Sequence, residues 1–266
     1  MRLNVLRISA CVALAVAASA AWTIEPGLYG VQSSNYEEGN GLFRIDPATG
    51  AATKICSLSH ESSLVGATFL RGQLYATDIL AFDPPAFYGT IDLQTGQFTG
   101  IHDQGWDLNW HGLASSESLG VTWSISQQYN NVLVETDLDG NMRYIGPTGI
   151  DGRGMAYDEI HGILYATNYA DSSLYTVDIN TGQATLIGPT GVSCELVGLA
   201  YDEMTQTLYL NEGYVTNSLY TVDVFTGAAT LIGPNGHTYI DGLAWIPEPT
   251  SFTLLAAGAL AMLRRR

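Results

Sequence analysis

The stretch from Arg153 to Gly188, RGMAYDEIHGILYATNYADSSLYTVDINTGQATLIG, is followed almost at once by a near copy of itself. The copy is VGLAYDEMTQTLYLNEGYVTNSLYTVDVFTGAATLIG, from Val197 to Gly233. Two copies this similar mean one structural unit used repeatedly, so the period constrains the fold more than composition does. A landmark glycine opening a GLAY-type stretch recurs at Gly66, Gly112, Gly154, Gly198 and Gly242, at intervals of 46, 42, 44 and 44 residues. A second landmark, Asp-x-x-Thr-Gly, stands at Asp46–Gly50, Asp92–Gly96, Asp178–Gly182 and Asp223–Gly227, with Asp137-Leu138-Asp139-Gly140 as a degenerate copy. Five glycines and five turns give five units filling the chain from about Gly27 to Trp245.

Each unit reads as four strands. In the last full copy these are Gly198 to Tyr201, Leu208 to Leu210, Ser218 to Asp223 and Ala228 to Gly233. Between strands three and four, Gly takes a positive φ and Asp bonds to turn backbone. That use of Asp is structural; the spacing lacks the alternating oxygen ligands of a calcium loop. Units of about 44 residues with four strands fit the blades of a β-propeller. Both faces of a blade pack on neighbours, so strands such as LYTVD and ATLIG are expected to be apolar on both sides. The first unit, Gly27-Leu28-Tyr29-Gly30, starts at strand two, and Gly242-Leu243-Ala244-Trp245 is a lone strand one. Pairing them closes the ring and hides the sheet edges. The expected fold is therefore all-β: a five-bladed propeller of four-stranded blades, closed by its C-terminal strand.

Charge narrows the partners. Five of the ten basic residues lie at the ends, leaving Arg44, Lys54, Arg71, Arg143 and Arg153 in the body against 25 of the 26 acids. Such a body excludes nucleic acid and anionic membrane surfaces. The acidity suits solubility outside the cell, a divalent cation or a cationic partner; no cofactor motif is present. Cys56 and Cys194 are too few for a disulfide framework, and the repeat puts them two blades apart.

The two ends carry addresses. Met1 to Ala20 has Arg2 and Arg7, a short apolar run and an A-x-A site at Ala18 and Ala20, the features of a secretory signal peptide. At the other end, Pro247-Glu248-Pro249 precedes the apolar run Phe252 to Leu263 and the basic Arg264 to Arg266. An apolar helix closed by a basic cluster is expected to insert with the arginines on the cytoplasmic side, though 12 residues are short for a stable span. This three-part tail resembles the PEP-CTERM sorting signal of Gram-negative bacteria. The resemblance covers about the last 20 residues. It implies transient association with the inner membrane, cleavage near the motif by an exosortase-type protease, and release to the envelope or an exopolysaccharide matrix. The organisation is then 1–20 signal peptide, 21–246 propeller and 247–266 sorting segment.

In a propeller, the loops from strand two to three and from strand four to the next strand one share one face, and function usually sits on such loops. This places a candidate ligand-binding rim there: Asn109, Trp110 and His111; Asp151 and Arg153; Asn168 and Tyr169; Glu195; Asn211, Glu212 and Tyr214; and Asp241. Carboxylates, amides and aromatics on one rim suit sugar hydroxyls or a cation, and suit plain solvated loops equally. Arg153 either pairs with Asp151 or Asp241 or holds a carboxylate ligand. A metal site could draw on His60, His102, His111 and His237, but no HxH or HExxH spacing supports one. The pairs Asp158-Glu159 and Asp202-Glu203 fall in turns on the opposite face and read as solvated. The first expectation is an exported, non-enzymatic propeller binding polysaccharide or another surface protein. The alternative is a carbohydrate-active enzyme using Asp151, Glu195 and Asp241 as acid and base.

Overall fold

A computed structural model describes residues 25–33, 40–59, 64–78, 88–102, 110–127 and 130–248. The signal segment 1–20, Asn109 and the tail from Pro249 onward lie outside them. Among the described residues no helix is long and apolar enough to cross a membrane.

Twenty strands form five antiparallel four-stranded sheets. Blade one holds β1 (Gly27–Gln32), β2 (Gly41–Ile45) and β3 (Ala52–Ser57). Blade two is β4 (Leu64–Leu70), β5 (Gln73–Asp78), β6 (Tyr88–Ile91) and β7 (Phe98–His102). Blade three is β8 (Trp110–Ser116), β9 (Val121–Ser126), β10 (Val132–Asp137) and β11 (Met142–Pro147). Blade four is β12 (Gly152–Asp158), β13 (Ile163–Asn168), β14 (Ser173–Val177) and β15 (Ala184–Pro189). Blade five is β16 (Val197–Asp202), β17 (Thr207–Glu212), β18 (Ser218–Val222) and β19 (Ala229–Pro234). The last strand, β20 (Ile240–Ile246), returns to blade one and pairs with β1, Leu28 opposite Trp245 and Gly30 opposite Leu243. Around the ring each innermost strand packs on the next, β4 on β8, β8 on β12, β12 on β16, β16 on β20 and β20 on β4. The chain is a five-bladed β-propeller, closed as the repeat requires.

Apolar side chains of adjacent blades meet to form the core. Ala156, Tyr165 and Leu174 of blade four pack with Leu199, Leu208 and Leu210 of blade five. The two inner strands of a blade are buried on both faces. The outer strand is not: in β15 and β19 most residues are exposed or half-buried, Leu186 and Leu231 among the exposed ones. The expectation of apolar packing on both sides therefore holds only for the inner strands, because strand four has neighbouring blades splaying away from it. In every blade the register slips once between strands three and four, as between Leu174/Tyr175 and Leu219/Tyr220. A bulge repeated at one position adds the twist each blade needs.

The Asp-x-x-Thr-Gly turn does two jobs. Asp223 Oδ1 accepts hydrogen bonds from the backbone N–H of Phe225 (2.8 Å) and Thr226 (2.9 Å), which hold its carboxyl below the usual range. The same bonds recur at Asp92 and Asp178. Gly227, at φ +80°, then lies flat against Gly188 of the preceding blade, where a Cβ would overlap the Gly188 carbonyl. Gly182 meets Gly146 the same way, and Gly50 meets Gly233 across the closure of the ring. The Thr-Gly and Ile-Gly-Pro signatures of the repeat are thus two halves of one contact between blades.

The turn between strands one and two is not simply solvated. Asp158 and Asp202 are buried, and Glu159 and Glu203 are half-buried rather than exposed. Glu159 Oε2 accepts from Glu117 N of blade three (2.9 Å), and Glu203 Oε1 accepts from Glu159 N of blade four (2.5 Å). These acids clasp neighbouring blades, which corrects the sequence expectation for them.

Candidate functional site

The rim builds outward from one guanidinium. Arg153 leaves β12 just past Gly152, and its side chain is only 14% exposed. Its Nη1 lies 2.8 Å from Nε2 and 2.9 Å from Nδ1 of His111, at the start of β8 in the adjacent blade. Burial, with the guanidinium beside it, holds the His111 imidazole down to about 3, so it is neutral and accepts. The guanidinium also stacks 4.8 Å from the centre of the Tyr169 ring, a cation–π contact. Nη2 is 3.5 Å from Asp151 Oδ2, while Nε is buried with no hydrogen-bond partner. Burial works against the charge of Arg153; Asp151, Tyr169 and Glu195 counter it. Of the alternatives open in the sequence, the pairing is therefore with Asp151, and it is loose.

Asp151 is held from several sides. Gln127 Nε2 donates to its Oδ1, and its backbone N–H donates to Asn168 Oδ1 (3.0 Å). No pattern in the sequence marks Gln127 as the partner of Asp151. Asn168 is structural: its amide oxygen also accepts from Ala170 N, and its Nδ2 donates to Asp171. Tyr169, next in the chain, is carried out to 43% exposure.

The remaining rim residues divide into scaffold and surface. Glu212 is fully buried; its carboxylate accepts from the backbone N–H groups of Tyr214, Val215, Thr216 and Asn217 and caps that loop. Asn211 is also buried, donating to Ile240 O (2.7 Å) and accepting from Asn235 (2.9 Å). Trp110 is buried edge-on to Tyr88. What Glu212 holds in place is Tyr214, 47% exposed, with exposed Val215 beside it and Tyr239 at 5.9 Å between ring centres. Tyr239 sits at φ +58°, rare for a bulky residue; its N–H donates to Gly213 O and its C=O accepts from Ser33 N.

Asp241 is 1% exposed. Ser33 Oγ donates to its Oδ2, Oδ1 has no partner, and burial pushes the carboxyl up to about 7. Of the three proposed acid–base residues, Asp241 is therefore sealed from any ligand, Asp151 is engaged by Gln127 and Arg153, and Glu195 is half-buried. Among the described residues no group of three or more His, Cys, Asp or Glu side chains could hold a metal ion. Of the histidines named for a metal site, His111 faces a guanidinium and His237 lies 4.7 Å from the Phe43 ring, while His60 lies outside the described residues. Cys56 and Cys194 are free thiols.

No protein-family model and no curated protein matches the chain. Among solved structures, it is similar to a chain in the crystal structure of a nidogen/laminin complex. That match has a TM-score of 0.57 and 18% identity, and covers 83% of this chain and 98% of the other. At that identity the likeness carries the propeller fold alone.

Proposed function

We propose that this is an exported, non-enzymatic propeller that binds or scaffolds matrix material, polysaccharide or a surface protein, through its upper rim. The observation that carries this reading is the pairing of exposed tyrosines with engaged acids. Tyr169 and Tyr214 stand out from loops whose backbones are fixed by Asn168 and Glu212. Rigid aromatic faces beside amides and a guanidinium suit the C–H faces and hydroxyls of sugars, and aromatic anchors dominate binding surfaces generally. An acid–base pair for glycoside hydrolysis instead needs two carboxyl groups facing one substrate, and Asp241 is closed off.

The double variant Tyr169→Ala/Tyr214→Ala, screened on a glycan array with product analysis, tests this. Retention is expected to fall at least tenfold, about 1.4 kcal/mol, with the fold retained and the melting temperature lowered only by the loss of the Tyr169–Arg153 and Tyr214–Tyr239 contacts. Release of reducing sugar by the unaltered protein would sink the reading.

Export and sorting rest on the resemblance of the two ends. The exosortase-type protease is the processing partner, and the last described residues, Pro247 and Glu248, follow directly on the closing strand. The mass of the released protein is expected to lack residues through Ala20 and also Arg264 to Arg266. A released form that keeps the arginines refutes processing near Pro247.

A further inference from the structure

The upper face of the ring is almost without positive charge. From residue 25 to 248 the sequence holds five cationic side chains, Arg44, Lys54, Arg71, Arg143 and Arg153, and all five are among the described residues. The segments outside the description, 34–39, 60–63, 79–87, 103–109 and 128–129, add no Lys or Arg. Arg44, Lys54 and Arg143 stand on β2, β3 and β11, and Arg71 lies in the turn between β4 and β5 on the opposite face. Arg44, Arg143 and Arg71 are further tied to Glu25, Glu135 and Glu117. Within 25–248, Arg153 is therefore the one Lys or Arg that the upper rim can turn toward a ligand.

Its guanidinium is already spent. A carboxylate or sulfate is gripped best by a fork of two N–H groups on one edge. A guanidinium has two such edges, Nη1 with Nη2 and Nε with Nη2. In Arg153 the first is closed by His111, whose ring nitrogens lie 2.8 and 2.9 Å from Nη1. The second is closed because Nε is buried. Nη2, common to both, faces Asp151 Oδ2 at 3.5 Å, and the flat of the guanidinium lies on Tyr169. Negative charge is better exposed. The Asp151 side chain is 29% exposed against 14% for Arg153, and Glu195 is half-buried. Among the described residues no hydrogen bond ends on the Glu195 carboxylate, whose charge acts on Arg153. An anion approaching Arg153 and Tyr169 thus meets two carboxylates and no open N–H fork. An uncharged sugar meets the same aromatic face without that repulsion. Like charge at a contact refuses one partner as effectively as matched groups hold another.

We infer that the rim, read above as a polysaccharide surface, takes chains of uncharged sugars and refuses those carrying carboxylates or sulfates, and that Asp151 and Glu195 set this choice. Asp151 acts through the guanidinium: it holds Nη2 and offsets the one charge that would welcome a uronate. Glu195 acts through its own unpaired charge. The selectivity rests on the polysaccharide reading and narrows it to one class of sugar.

The test is the same glycan array, printed with each hexose oligomer in two forms, C6 as a primary hydroxyl or as a carboxylate, and probed with the exported protein at pH 8 and low salt. The hydroxyl form is expected to be retained about tenfold better, as for a contact turned from neutral to repulsive. In Asp151→Asn/Glu195→Gln two negative charges leave the rim and Nη2 loses its acceptor, while the Asn oxygen still receives Gln127. That ratio is expected to fall about threefold, the scale of exposed charge contacts. Carboxylate forms retained as well as hydroxyl forms would overturn the selectivity and leave the polysaccharide reading standing. A ratio unchanged in the folded double variant would overturn it too, because the refusal would then come from the acidity of the whole body. Retention of no glycan in either form would refute the polysaccharide reading and the selectivity with it. The ratio for the unaltered protein decides where the variant fails to fold.

Discussion

Replacing Leu243 by Asp is expected to unfold most of the protein at room temperature, whereas Leu231→Asp is expected to change stability by no more than about 0.5 kcal/mol. Both residues are leucines of the repeated strands, one on an outermost strand and one on an innermost strand. Leu231 is 59% exposed on the outermost strand of blade five, and Leu243 is 1% exposed on the strand that closes the ring. Leu243 packs with Leu28, Phe43, Ile45 and Leu219, so it joins blade five to blade one. Losing its burial costs about 1.5–3 kcal/mol. Placing a carboxylate there costs several kcal/mol more, and together these rival the whole stability of an ordinary domain, about 5–15 kcal/mol. The partner strand is more than 200 residues away in sequence, so no local interaction compensates. Denaturant unfolding followed by tryptophan fluorescence checks this. A midpoint for Leu243→Asp close to that of the unaltered protein would mean that the ring is not held by its last strand.

The same contrast explains what the repeat could and could not reveal. Blade number, strand order and closure follow from spacing, because a repeat that hides its own edges has few ways to do so. The Asp and Gly of each turn were legible too, since their roles are local: Asp reaches N–H groups two and three residues on, and Gly takes a positive φ. The degenerate copy is one residue shorter and keeps the principle: Asp137 accepts from Asp139 N, two residues on, and from the N–H and side-chain amide of Asn141, the residue after the turn glycine. Long-range placement was not legible. Glu159 and Glu203 read as solvated because nothing within their own turns requires otherwise; their hydrogen-bond partners lie about one repeat away, at Glu117 and Glu159. Asp241 read as a rim acid because its neighbours in sequence are loop residues, yet Ser33, 208 positions away, covers it. Glu212 could have been recognised as a cap, since every backbone N–H it accepts from lies two to five residues on.

Asp241 leads to the second large effect, which depends on pH. Its carboxyl stands at about 7 in the folded protein against 3.8 for the free side chain, because it is fully buried, with the Ser33 hydroxyl bond opposing the rise and nearby Glu212 adding to it. A raised carboxyl means the folded state holds the proton more tightly than the unfolded chain does. Its contribution to stability is complete below about pH 4, shrinks as pH climbs, and is lost by about pH 7, with no further change above. Three pKa steps correspond to a loss on the order of 4 kcal/mol across that window. Asparagine keeps an oxygen for Ser33 and cannot ionise, so Asp241→Asn is expected to be the more stable form at pH 8. Its advantage is expected to shrink as pH falls toward 4.5, where the native carboxyl is protonated throughout. Other acids, Glu203 among them, titrate in the same range, so the quantity to follow is the difference in melting temperature between the two proteins at each pH. A difference that stays constant from pH 4.5 to 8 would show that Asp241 is not the buried acid of the closing strand.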